Sequence, residues 1–161
     1  MFIVLLQGTV KLGPWGGPGG AAWHKNPGVD TAIKEIVICH GSVVNSITFK
    51  SIVPTSGNIV PSVTHSGIGG QCDMISIDVP GEYLTLISGT INYYLGHAVI
   101  ESLTFYTNER THGPYGPTNG SRFEIPMENG EIIGFFGNTS ATLVEKHILV
   151  AIGIYVKPHA N

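Results

Sequence analysis

Apolar and polar residues alternate with a period of two along most of this chain, and no stretch sustains a helical period. Such alternation marks strands with one face buried, so the chain is predicted to be all β. Strands are expected from Ile33 to Cys39, with Val44 to Ile52 as hairpin partner across Gly41-Ser42, and then from Met74 to Ile77. Tyr83 to Ile91, Val99 to Tyr106, Arg122 to Pro126, Ile132 to Phe136 and Leu149 to Val156 follow. Pro-Gly, Asn-Gly and Gly-Gly steps separate them at short, fairly regular intervals, as a sandwich, barrel or prism requires.

Within this pattern the chain echoes itself. Gly13-Pro14-Trp15-Gly16 returns as Gly113-Pro114-Tyr115-Gly116, and Gly16-Gly17-Pro18-Gly19-Gly20 returns as Ser66-Gly67-Ile68-Gly69-Gly70. Thr31 to Ile36 resembles Val150 to Tyr155, with Thr85 to Gly89 a weaker copy. Repetition at about a third of the chain length predicts three related β-units closed on one another.

Composition narrows the class. A chain of 161 residues can bury a full core as one domain, and 42% hydrophobic against 12% charged residues excludes a disordered chain. The net charge of −3, with no Lys/Arg cluster, argues against a nucleic-acid partner. Met1 to Gln7 is too short an apolar run for a signal peptide or a membrane span. No membrane insertion is expected, and the setting is read as cytoplasmic or nucleocytoplasmic. Cys39 and Cys72 are accordingly read as reduced thiols, and the sequons at Asn119 and Asn138 as chance matches.

Catalytic machinery is not visible. The seven histidines are scattered, and none forms an i, i+2 or i, i+4 pair with a nearby acid that would hold zinc. Gly17 to Ala22 has a proline within it and no helical pattern after it, which excludes a dinucleotide loop. No Gly-x-Ser-x-Gly elbow occurs. No catalytic residue, metal or cofactor is assigned.

Seven segments in order carry a family resemblance: Val10 to Gly20, Ser66 to Gly70, Gly81 to Thr85, Ile100 to Asn108, Thr111 to Gly116, Ile132 to Gly137, and Ala151 to Val156. Together they resemble the jacalin-related lectins of plants over nearly everything from Gly8 to His159. The resemblance implies one domain over 1–161, built as a β-prism of three four-stranded Greek-key sheets with pseudo-threefold symmetry. The single unprocessed chain, continuing before the glycine loop, is similar to the mannose-preferring branch. It implies glycans of mannose or glucose type as partners, bound without metal, and a homodimer or higher homo-oligomer.

A sugar offers vicinal hydroxyls, each donor and acceptor, so its site needs close backbone N–H groups and a carboxylate. In the family a glycine loop and a late Gly-x-x-x-Asp loop supply these. Carried over here, Gly19, with Gly20, falls on the glycine loop. The late loop departs from the pattern: Val150 stands where the aspartate belongs and Lys146 where the glycine belongs. The segment between Gly137 and Val150 is also longer; Glu145, His147 and Asn138 are its groups that could reach a hydroxyl, and Glu145, His147, Ile148 and Val150 are taken as the rebuilt contact surface. Tyr93 and Tyr94 are candidates to stack on a sugar face or simply to pack. A second site is conceivable at Gly69 with Asp30, although Thr31, not Asp30, aligns with the motif's aspartate.

Two readings therefore stand. One is a mannose- or glucose-directed lectin. The other is a degenerate lectin fold serving as a protein-interaction module, with Ile148-Leu149-Val150 as an exposed apolar patch. Burial of Val150 would make that segment a strand extension instead.

Overall fold

The computed structural model describes residues 9–25, 28–66, 70–125, 130–143 and 146–159, which fold into twelve strands with no helix among them. Strands β1 (Val10–Gly16), β2 (Ala21–Lys25), β11 (Gly130–Leu143) and β12 (Lys146–Pro158) form one sheet in the order β1-β12-β11-β2. Strands β3 (Ala32–His40), β4 (Val44–Val53), β5 (Asn58–Ser66) and β6 (Gln71–Ser76) form a second, ordered β5-β4-β3-β6. The third holds β7 (Leu84–Tyr94), β8 (His97–Thr107), β9 (Thr111–Tyr115) and β10 (Ser121–Ile125), ordered β10-β7-β8-β9. Each sheet is a central hairpin flanked by two edge strands, and the edge strands are joined by a glycine-bearing loop.

Alternation turns Ile36 and Ile38 of β3, Leu103 and Phe105 of β8, and Ile152 and Ile154 of β12 into one shared core. Phe49, Phe105 and Phe135, one from each sheet, meet edge to face with centroids 5.1 and 6.3 Å apart. Such buried rings fix the three sheets on each other, and truncating one costs about 3–5 kcal/mol.

The strands read from alternation are present, with bounds that differ by up to three residues at most ends and by seven at the end of β11. Four others, β1, β2, β5 and β9, lie outside the strands read from alternation. They are edge strands, where one row of backbone groups needs no ladder partner and Gly and Pro are tolerated. The long segment before Val150 is also strand: Ser140 pairs with Ile148 and Leu143 with Lys146, so β11 and β12 continue past the expected loop. Ile148, Leu149 and Val150 are 0%, 0% and 3% exposed, which removes the exposed apolar patch. The expectation for the cysteines is corrected as well. Cys39 and Cys72 stand directly opposite each other on β3 and β6 and are joined as a disulfide. Direct register brings Cβ atoms within about 5 Å, near enough for the sulfurs to bond.

Tyr93 and Tyr94 end β7, and Leu95-Gly96 turns the chain into β8 with positive φ at both residues, as a tight hairpin of type I′ requires. Tyr94 packs against Val43, Val99 and Ile148, which favours packing over stacking; Tyr93 stands 77% exposed.

Candidate functional site

The first glycine loop, Gly16 to Gly20, leaves β1 and re-enters the sheet at β2. The Gly17 N–H donates to the Val150 carbonyl at 2.9 Å, and Asn138 Nδ2 donates to the Gly19 carbonyl at 3.0 Å. Both ends of the extended β11–β12 hairpin therefore hold the loop. Gly19 and Gly20 have φ of +89° and +82°, a region that favours glycine. A methyl group on Gly20 would stand 2.8 Å from the Thr139 carbonyl, whereas around Gly19 there is open space. Gly19 is thus the loop's accessible face.

Beside it lies a pocket of about 150 Å³, lined by Pro18, Gly19, Gly20, His97, Ala98, Ser140 and Val150. Three pieces of chain converge there: the glycine loop, the β11–β12 hairpin and the start of β8. The lining offers backbone polar groups, a hydroxyl and an exposed imidazole on a small apolar floor. That inventory can donate to and accept from hydroxyl groups, but none of the lining residues carries a carboxylate.

Of the residues singled out from sequence, Gly19, Gly20 and Val150 meet in this pocket. Ile148 does not line it; it is buried with Tyr94 beneath the hairpin. The side chain of His147 and the whole of Glu145 lie outside the described residues, as does Gly69. Asp30 precedes β3, while Gly70 packs against His40 at the far end of that strand, so Asp30 is not brought to the second glycine loop. His97, Ala98 and Ser140 were missed. His97 and Ala98 follow the Leu95-Gly96 turn and Ser140 lies in the lengthened segment before Val150, and neither position says what it faces.

The strand register extends the comparison to all three units. Trp15 pairs with Ile152, His65 with Ile47 and Tyr115 with Leu103. Two residues earlier on each inner strand stand Val150, Asn45 and Glu101, so these three occupy the equivalent position opposite Gly16–Gly20, the loop ending at Gly70, and Gly116–Gly120. Gly20, Gly70 and Gly120 are spaced fifty residues apart.

Only the third unit puts an acid there. Glu101 is 4% exposed, and its carboxylate accepts from Gly120 N–H, the Thr90 hydroxyl and Asn92 Nδ2, each at 2.8 Å. Burial pushes the Glu101 carboxyl up, but these bonds outweigh it and hold the group below its ordinary value. Glu82, fully buried, behaves likewise. Burial raises it, while the Asp78 N–H, the Thr107 hydroxyl and Arg110 bring it below the ordinary value. Glu82 ties the β6–β7 connection to β8 and is structural.

Comparison with known proteins places this geometry. The jacalin-like lectin domain matches residues 12–155. A mannose/glucose-specific lectin of Parkia pendula is 39% identical over 160 residues, covering 95% of this chain and 33% of the relative. The chain thus spans about a third of that lectin's length. Horcolin of Hordeum vulgare is 31% identical over 150 residues, covering 92% of this chain and 97% of the relative. Among solved structures, a mannose-specific jacalin-related lectin of Morus nigra in complex with mannose superposes with a TM-score of 0.79. It is 35% identical, covering 92% of this chain and 94% of that one. The artocarpin–mannotriose complex gives 0.80 at 34% identity, covering 92% and 97%. The relatives are lectins, in keeping with a chain that carries no enzyme motif. The three-sheet prism and the family match agree: the chain belongs to the jacalin-like lectin family.

Proposed function

We propose that this domain binds carbohydrate of mannose or glucose type at the first glycine loop, without a metal ion. The observation that carries the reading is the open pocket at Gly19 and Gly20, held in place by Asn138 and the Val150 carbonyl. Mannose and mannotriose are the ligands of solved relatives with the same fold. Among the described residues no group of three His, Cys, Asp or Glu side chains is placed to hold a metal.

Without the aspartate, each lost charge-assisted bond weakens binding by roughly 1.5–3 kcal/mol, so the intrinsic affinity is weak. Ser140 and His97 are the polar side chains left to serve the sugar. Weak sites gain from multivalency, so a homodimer or larger assembly is part of the proposal, with edge strand β1 as the meeting surface. The Cys39–Cys72 bond favours an oxidising compartment over the nucleocytoplasmic setting read from sequence, because cytosolic thiol pairs are mostly kept reduced.

The absent carboxylate also favours a second reading, a protein-interaction module that has lost sugar binding. Burial of Ile148 to Val150 takes away the surface that reading relied on. A glycan array spanning mannose-, glucose- and galactose-type ligands, run on folded protein, decides between them. Saturable mannose or glucose signals support the lectin; silence across the array supports the module.

A further inference from the structure

The outer face of the third sheet differs from that of the first. On the first sheet Ile133, Phe136 and Tyr155 cluster together, with the Lys11 ammonium over the Phe136 ring, and fill the surface. On the third, register sets Arg122, Thr90 and Ser102 in one cross-strand row and Glu124, Ser88 and Thr104 in the next. Their partners in alternation, Ile87, Leu103 and Phe105, point into the core. Four short hydroxyl side chains thus stand where outer faces ordinarily carry long charged ones, and they leave a hollow.

The hollow has a volume of about 410 Å³, within the range of small-molecule sites and larger than the glycine-loop pocket. It shares no lining residue with that pocket. Tyr106 and Arg122 wall one side, Gly113-Pro114 of β9 another, and Thr118 of the third glycine loop overhangs it.

Its hydrogen-bonding polarity is set from behind. Thr90 has one hydroxyl proton and lies 2.8 Å from Glu101 Oε1 and 2.6 Å from Ser102 Oγ. The proton goes to the carboxylate, the stronger acceptor, so Ser102, 1% exposed in the lining of the hollow, donates to Thr90 and keeps its lone pairs as acceptors. At the opposite wall Arg122 presents only donors. Its pairing with Glu124, 3.3 Å apart and exposed on both sides, is weak enough to be exchanged. An anion would meet the fields of Glu101 and Glu124 and the lone pairs of Ser102. A neutral polyol, with hydroxyls that donate at one end and accept at the other, matches both.

We propose that this hollow is a second carbohydrate site, for a neutral pyranoside, bound by Ser102 and Arg122 on the outer face of the third sheet. It is independent of the glycine loop, so one chain would carry two sites and cross-link glycans without a partner copy.

The test is amide and Arg Nε shift mapping of the isotope-labelled full chain, titrated with methyl α-mannoside, methyl α-glucoside, methyl β-galactoside and methyl β-glucuronide. At least one neutral glycoside should shift Gly113, Gly120 and Arg122 Nε saturably. Those shifts should persist in Gly19→Trp, and the affinity read from Gly113 and Gly120 should weaken about tenfold in Arg122→Ala, an exposed position that leaves folding intact. Ser102→Ala, which removes the acceptor without adding bulk, should weaken them too. Absence of shifts there with every neutral glycoside, or shifts with the glucuronide alone, overturns the proposal. Shifts confined to Gly19 and Gly20 would uphold the first site and reject the second; shifts confined to the hollow would do the reverse.

Discussion

The first and third glycine loops are built alike and finished differently. Both leave an edge strand beside the same inner-strand position, and both end on a glycine whose added methyl would strike backbone. In the third loop the facing residue is Glu101, and its carboxylate takes the Gly120 N–H that a ligand would otherwise seek. In the first it is Val150, which offers only its carbonyl, and Gly19 faces open space. One scaffold thus yields a loop closed on its own acid and a loop left open to a ligand. The residue opposite the loop decides whether its closing amide is taken up within the chain.

Breaking the strut should have the largest effect. Glu101→Ala leaves Gly120 N–H, Asn92 and Thr90 without their acceptor, and should cost about 3 kcal/mol in denaturant unfolding. Gly120→Ala should cost a similar amount, because its methyl would collide with the Ile91 carbonyl. Neither should abolish sugar binding at Gly19. A stability loss below about 1 kcal/mol for Glu101→Ala would remove the distinction between the loops.

Acid should act on the same strut. Glu101 and Glu82 both have folded carboxyls held below the ordinary value of about 4.3. Their contribution is therefore complete above that value and is lost as pH falls through the lower folded values. Stability measured by urea titration should be flat with respect to these groups from neutral pH down to about 5, then fall. Glu101→Gln should flatten that acid limb; an unchanged limb would assign it elsewhere.

Converting the open loop towards its family's form should give a smaller, opposite result. Val150→Asp restores a carboxylate opposite Gly19 and should tighten binding of methyl α-mannoside about tenfold by calorimetry. No gain would mean that the extended β11–β12 hairpin has already rebuilt the contact. The smallest effect belongs to Gly19→Ala. The methyl meets nothing, and only the positive φ is disfavoured, so about 1 kcal/mol of stability should be lost.

How much of this was legible follows from which residues carry patterns. Strands β3, β4, β7 and β8 each place a row of apolar residues in the core, so period-two reading found them. Edge strands such as His112 to Tyr115 bury little and are punctuated by Gly113-Pro114, so they look like turns. The glycine loop of the first unit was visible because its residues repeat and belong to a family motif. Its partners were not, since His97 and Ser140 come from hairpins far apart in the chain. Glu101 did leave a trace: an acid directly after Ile100, two residues before Leu103 in a strand that feeds the core, calls for buried donors. The cysteines were misjudged because the pairing of β3 with β6 depends on register, which two isolated residues do not encode.

The claim at the centre is that the open loop binds sugar. Isothermal titration of the folded chain with methyl α-mannoside, beside Gly19→Trp checked for native near-ultraviolet dichroism, tests it most directly. Saturable heat whose glycine-loop component is lost in the tryptophan variant, leaving at most what the outer-face hollow binds, is the predicted result. Binding of equal strength in the Gly19→Trp variant, or none in the unaltered chain, would contradict it.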